Sequence, residues 1–170
     1  MGFSAFDQLA PSFADFLISH VAAKVAQKTE QTIWSGAAAT AGEFGGFDEL
    51  LLADGTVNDV ASTTVTSTNV IAQLGAIVDA IPSALYTSED MTLYISQNMA
   101  RAYVRALGGF ASNLGAAGTD TKGTQWYNGG ALSFDGINIF VANGLADNHA
   151  VAAEKSNLYF GTGLLNDSNE

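Results

Sequence analysis

The chain begins with a stretch in which apolar residues recur at helical spacing. After residue 12 they stand four apart, at Phe13, Leu17, Val21 and Val25. Ser12 suits the N-cap position and Asp15 follows three residues later, the spacing of a capping box. Gly36 interrupts the pattern. The sequence therefore predicts a helix from Ser12 to about Trp34, roughly 30 Å long.

Two further apolar stripes predict helices later in the chain. Over residues 68–80 the stripe consists of Val70, Ile71, Leu74, Ile77 and Val78. Pro82 cannot continue a helix, so we expect this one to end before it. From Ser96 to Leu107 the stripe consists of Met99, Tyr103 and Leu107. Gly108-Gly109 is a typical helix end, and we expect the third helix to stop there.

Alternating and β-branched residues predict strands between and after these helices. Residues 91–95 alternate in a way that is typical of a strand. Asp135-Gly136 suits a two-residue hairpin turn, with residues 137–141 as the returning strand. Two more short strands are predicted at 149–153 and 158–160. Because the strands gather around hairpins, the fold class is α+β with a mixed or antiparallel sheet flanked by helices.

Segments rich in glycine and polar residues separate these elements. We interpret residues 35–48 as a loop anchored by Phe44 and Phe47. Residues 54–65 are turn-like and mark a boundary, which divides the chain into 1–64 and 65–170. Residues 108–130 form a long loop, and loops of this length often carry function.

Composition and charge exclude several classes of protein. The 170 residues include 6 Lys and Arg against 17 Asp and Glu, a formal net charge of −11. Such a chain repels polyphosphate, so we expect neither specific nucleic-acid binding nor attraction to acidic membranes. It has no cysteine, hence neither disulfides nor thiolate ligands. Without an apolar run of about 20 residues or a basic N-terminus, we expect synthesis in the cytoplasm and no membrane partner.

Residue types that carry chemistry do not combine into a credible active site. The candidates are His20, His149, the glycines of residues 42–46, the polar set Asp54, Asn58 and Asp59, and the pair Glu89-Asp90. The histidines lack a nearby partner, the glycines lack the Gly-Lys-Ser/Thr ending, and the acidic groups fail the calcium-loop spacing. We therefore expect no enzyme activity, no cofactor and no metal site.

Four residues are candidates for an interface between subunits. Arg101 and Arg105 lie four apart on one helix face, although a solvated face with local ion pairs is the simpler interpretation. An acidic neighbour could pair with them and fix the register of a contact. Trp126 and Tyr127 are adjacent aromatic residues within the long loop. They would also suit recognition of a glycan.

The order of several motifs resembles the axial domain of tailed-bacteriophage major capsid proteins, the Hong Kong 97-type fold. The segments that carry the resemblance are 65–71, 89–96, 97–107, 136–139, 144–148 and the Asn-Leu-Tyr-Phe-Gly-Thr stretch at 157–162. The first helix is similar to the spine helix of that family. Under this resemblance, residues 1–64 contain the spine helix and part of the peripheral domain, and residues 65–170 form the axial domain.

The resemblance implies a structural virion protein that assembles into an icosahedral shell around phage DNA. Its partners would be copies of itself in pentamers and hexamers, together with other capsid components, and its location the virion capsid. The family usually has an N-terminal arm and an extended loop before the spine helix, so we expect a fragment or trimmed form. Two alternatives stay open at this point: an encapsulin-like compartment shell, and a small binding module on a phage or cell surface.

Overall fold

A computed structural model describes residues 5–61, 63–113 and 132–161 of the chain. Helices and strands follow one another in the order α1 (Ala5–Ser35), α2 (Phe47–Ala53), α3 (Val70–Asp79), α4 (Ser83–Tyr86), β1 (Met91–Ile95), α5 (Gln97–Asn113), β2 (Ser133–Phe134), β3 (Ile137–Val141) and β4 (Ala150–Glu154). A short 3-10 turn, Lys155–Asn157, follows β4. The predicted α+β class is confirmed.

The strands form one mixed sheet in the order β2-β3-β1-β4. β1 pairs in parallel with β3 and antiparallel with β4, while β2 and β3 form an antiparallel hairpin. β1 therefore lies inside the sheet, and all five of its residues are buried. Parallel pairing requires a long crossover, and α5 lies within the one that joins β1 to β3. The prediction of a mixed sheet with flanking helices agrees with this arrangement.

One face of the sheet carries the main hydrophobic core. Leu93 and Ile95 of β1 are fully buried there, beneath α3 and α5. The predicted stripe of α3 supplies Val70, Leu74 and Val78, all less than 5% exposed. Met99 and Tyr103 of α5 meet the same strand. Burial of large apolar side chains of this kind stabilises a fold by about 1.5–3 kcal/mol each.

The opposite face carries a smaller aromatic cluster that receives the end of α1. Trp34 packs against Tyr94 of β1, with ring centroids 5.1 Å apart, and against Phe47 of α2 at 5.4 Å. Ala142 and Leu145 complete its buried part. Of the two predicted anchors of the 35–48 segment, Phe47 packs on this cluster, whereas Phe44 is 42% exposed and contacts Phe160. The division of the chain at residue 64 stays a prediction.

The hairpin turn forms as the sequence predicts. Asp135 and Gly136 both have positive φ, 51° and 83°, as a type I′ turn requires. Asp and Gly adopt this backbone region more easily than most residues, which explains why the pair is a reliable signal.

Two helix boundaries differ from the predicted ones. α1 begins at Ala5, so the predicted N-cap, Ser12, lies inside the helix. Pro11, just before Ser12, therefore also lies inside the helix. A proline in a helix interior removes one backbone hydrogen bond and costs about 3 kcal/mol, but the turns on either side of it can still form. α5 continues through Gly108-Gly109 to Asn113. A glycine costs only about 1 kcal/mol relative to alanine within a helix, so a pair of them need not end it.

The last predicted strand is wrong, and two short helices, α2 and α4, were not predicted. Residues 158–160 are not a strand, because the 3-10 turn after β4 directs the chain away from the sheet. Leu158 instead packs on the aromatic cluster. α2 begins in the segment that was interpreted as loop. Its first turn carries Asp48 and Glu49, and acidic residues there favour a helix through its dipole.

Candidate functional site

The C-terminal end of α1 is fixed to the sheet by a close backbone approach. A Cβ at Gly144, in the turn after β3, would collide with the carbonyl oxygen of Glu30. The Ser35 hydroxyl donates a hydrogen bond of 2.8 Å to the Gly144 carbonyl oxygen. Only glycine permits this approach, because any side chain would separate helix and turn. The direction in which α1 leaves the sheet is set at this contact.

A second backbone crossing holds the chain just after α1. The Gly46 N–H donates to the Gly36 carbonyl oxygen at 2.8 Å. A Cβ on Gly46 would lie 2.6 Å from the Gly36 nitrogen and 2.7 Å from the Trp34 carbonyl oxygen. Nearby, the Lys28 ammonium forms an ion pair with the Glu43 carboxylate. Close packing of the backbone therefore explains Gly36 and Gly46, whereas Gly42 has open space around it and a positive φ of 84°.

The described side chains of α1 before this anchor are exposed on all sides of the helix. Every side chain of residues 13–29, here named the stem, is exposed. Its large apolar members are Phe13, Phe16, Leu17, Ile18, Val21 and Val25, with exposed fractions of 49–67%. The stem is about 25 Å long. Contiguous exposed apolar surface of this extent usually marks an interaction site.

A network of polar side chains joins three distant segments beside β1. The Asn148 Oδ1 accepts hydrogen bonds from the Val65 N–H at 2.8 Å and from the Asn98 amide at 2.9 Å. The Asn98 Oδ1 in turn accepts from the Asn148 N–H at 3.0 Å and from the buried Ser96 hydroxyl at 2.7 Å. Asn148 has a positive φ of 66°. The network fixes the turn before β4 against the segment that leads into α3.

His149 lies next to this network and has an acidic partner. Its Nδ1 is 2.8 Å from an Asp48 carboxylate oxygen, which links the start of β4 to α2. The two residues are about a hundred positions apart, so no local motif could have predicted the pair. His20, by contrast, is exposed on the stem, 6.1 Å from the Phe16 ring.

A groove runs along the outer edge of β4. It has a volume of about 530 Å³ and is bordered by α2, residues 56–61, α3 and β4. Apolar side chains such as Leu52, Val57 and Ile77 form much of its wall. Asp48, Asp59 and Glu154 supply negative charge, and no Lys or Arg among the described residues lines it.

The predicted interface residues fall in two places. Arg101 and Arg105 are both exposed on α5, and Arg101 reaches the Gln97 side chain at 3.5 Å, a long contact. Their pairing with a neighbouring subunit stays a prediction. Trp126 and Tyr127 lie outside the described residues. The groove and the exposed stem were not recognised as sites from the sequence, because both are defined by what packs beside them.

The acidic residues Asp54 and Asp90 both accept hydrogen bonds from backbone N–H groups. Asp54 accepts hydrogen bonds from the Thr56 hydroxyl at 2.7 Å and from its N–H at 2.9 Å, and these lower the pKa of the carboxyl. Asp90 accepts the Ser156 N–H at 2.8 Å. Within the described ranges, no three His, Cys, Asp or Glu side chains are close enough together to hold a metal ion. None of the described helices is both long and apolar enough to cross a membrane.

Comparison of the chain with protein-family models, with curated proteins and with solved structures found no match.

Proposed function

We propose that the chain is a structural subunit of a closed protein shell, of the kind that tailed bacteriophages build from their major capsid protein. The observation that carries this proposal is the exposed apolar stem on a small mixed sheet. A helix of this kind gains most of its stability from packing on other elements. In a shell, neighbouring subunits would supply that packing, and the virion capsid would be the protein's location.

The charge of the chain is compatible with this role. A shell that encloses DNA needs no affinity for the bases, and a subunit with a net charge of −11 has little attraction for phosphate. The proposal includes no catalytic step, no cofactor and no metal ion. The partners are further copies of the chain, arranged in pentamers and hexamers, together with other capsid components.

Size-exclusion chromatography with light scattering, followed by negative-stain imaging, tests the proposal. We expect the purified protein to form pentamers, hexamers or closed particles as its concentration rises. A protein that remains monomeric over a wide range of protein and salt concentrations would contradict the proposal.

The paired arginines of α5 offer a more specific version of this test. Replacement of Arg101 and Arg105 by Glu should reduce the oligomeric fraction, whereas replacement of both by Lys should retain most of it, because the charge is kept. If the two double variants assemble equally well, Arg101 and Arg105 do not contribute to the interface, and the shell proposal is unaffected.

A further inference from the structure

The stem has an apolar face that needs a partner. Leu17, Ile18, Val21 and Val25 fall within an arc of about 100° around the helix. Each is at least 49% exposed. An isolated helix of this length is marginally stable in water, and its stability in a protein comes from burial of such a face. The stem therefore requires a surface to cover these side chains.

The groove beside β4 offers an apolar surface that matches the apolar face of the stem. It presents apolar walls with open space between them, and Leu52 and Val57 on its border are 65% and 39% exposed. Its volume of about 530 Å³ suffices for several side chains of one helix face. The stem cannot fill the groove of its own molecule, because all of its residues are exposed. A stem that fills the groove must therefore come from another molecule.

Charge favours the pairing of stem with groove over the pairing of two stems. The stem carries Lys24 and Lys28 against Asp15 alone, so it is positive within a strongly negative chain. Lys28 is held by Glu43, whereas the Lys24 ammonium contacts only the neutral Gln27 amide, at 3.2 Å, among the described residues. The groove has three acidic residues. Two parallel stems would bring their Lys24 ammonium groups together, but a stem in a groove brings opposite charges together.

We propose that the stem of one copy docks in the groove of a second copy. Leu17, Val21 and Val25 enter the apolar part of the groove, and Lys24 lies beside Asp59. The contact is head-to-tail, so each molecule offers one stem and one groove, and repetition builds a ring or a shell. The inference rests on the proposed function and names the surfaces that carry out the assembly.

The absence of cysteine from the chain permits a direct test by disulfide trapping. Val21→Cys protein is mixed with Val57→Cys protein under mild oxidation, and heterodimers are measured on non-reducing gels. We expect them to form roughly a hundredfold faster than with Ala23→Cys in place of Val21→Cys, because docking gives a millimolar effective concentration. Ala23 is exposed on the stem but lies about 200° around the helix from Val21.

Other outcomes of this experiment overturn the inference. Rapid disulfide formation by Val21→Cys protein alone, without trapping by Val57→Cys, would mean that two stems pair with each other. Equal rates for the Val21→Cys and Ala23→Cys mixtures would mean that the stem has no defined partner on this surface.

Exchange of the charges provides a second test. Lys24→Glu and Asp59→Lys should each weaken association roughly tenfold or more, because like charges then meet. The double variant should recover most of the loss, and failure to recover would contradict the pairing of these two side chains.

The two proposals can fail separately. If closed particles form but no disulfide joins stem to groove, the shell function is supported and the stem-to-groove contact is contradicted. If the disulfide-linked dimers form but the protein never forms closed particles, the contact is supported and the shell function is contradicted.

Discussion

Asn148 combines two roles that rarely fall on one residue. Its backbone has a positive φ of 66°, and its side chain accepts hydrogen bonds from Val65 and Asn98. Asparagine tolerates the left-handed region better than most residues and also supplies the amide oxygen. The turn before β4, and with it the wall of the groove, depends on both properties.

Substitution of Asn148 can separate backbone strain from hydrogen bonding. Asn148→Gly keeps the positive φ but removes the hydrogen bonds to part-buried groups, which should cost about 1–2 kcal/mol. Asn148→Ala should cost about 1–2 kcal/mol more, because alanine resists positive φ. Urea denaturation measures both values. Equal stabilities of the two variants would show that strain at this position is negligible.

Gly144 and Gly75 should respond in opposite directions to alanine. At Gly144 the new methyl would collide with the Glu30 backbone. Gly144→Ala should therefore destabilise the protein and weaken the packing of the end of α1 against the turn after β3. Gly75, inside α3, has nothing within 4 Å of the new methyl. Gly75→Ala should therefore stabilise the protein by about 0.5–1 kcal/mol through helix propensity. Thermal unfolding distinguishes the two, and stabilisation by both would contradict the close approach.

Over residues 13–35, the part of α1 whose side chains are described, only the last turns are fixed to the rest of the protein. The Lys28 ammonium and the Glu43 carboxylate join it to the loop that follows, and Glu43 also accepts the Ala37 N–H at 3.3 Å. The hydrogen bond from Lys28, then that from Ala37, lowers the pKa of Glu43. This ion pair is exposed, so it affects the loop more than the overall stability.

The lowered pKa of Glu43 fixes the pH range in which this contact acts. The folded state binds the proton less tightly than the unfolded state, so the stabilisation is present above the unfolded pKa of about 4.3. It is lost as the pH falls through the lower folded pKa. Lys28→Met should raise the Glu43 pKa towards its usual value, as measured by NMR titration. Lys24→Met should leave it unchanged, and an equal rise in that control would contradict the pairing with Lys28.

At the scale of the whole molecule, the net charge of −11 opposes association of identical copies. Salt screens such repulsion, and the Debye length falls from about 30 Å at 0.01 M to about 8 Å at 0.15 M. We therefore expect the oligomeric fraction, measured by light scattering, to rise with ionic strength. The native protein should form a larger oligomeric fraction than the Lys24→Gln variant, and this difference should shrink as the ionic strength rises. A steady loss of oligomers with salt would mean that attraction between charges dominates.

Local signals predicted the elements but not all of their ends. The stripe of α3, the strand 91–95 and the Asp135-Gly136 turn are confirmed, because each depends on neighbouring residues alone. The start of α1 and the end of α5 were misplaced. Residues 158–160 have strand-like composition, but the 3-10 turn after β4 directs them away from the sheet, and Leu158 packs on the aromatic cluster instead.

The sequence alone determined the fold class, the helical stripes and the negative charge, because these follow from residue type and short-range spacing. Tertiary structure alone decided that Asp48 meets His149, that Gly144 receives α1, and that the groove lies beside β4. It also decided that the stem is exposed, a property that periodicity cannot reveal. An apolar stripe has the same spacing whether its partner is in the same molecule or in another one.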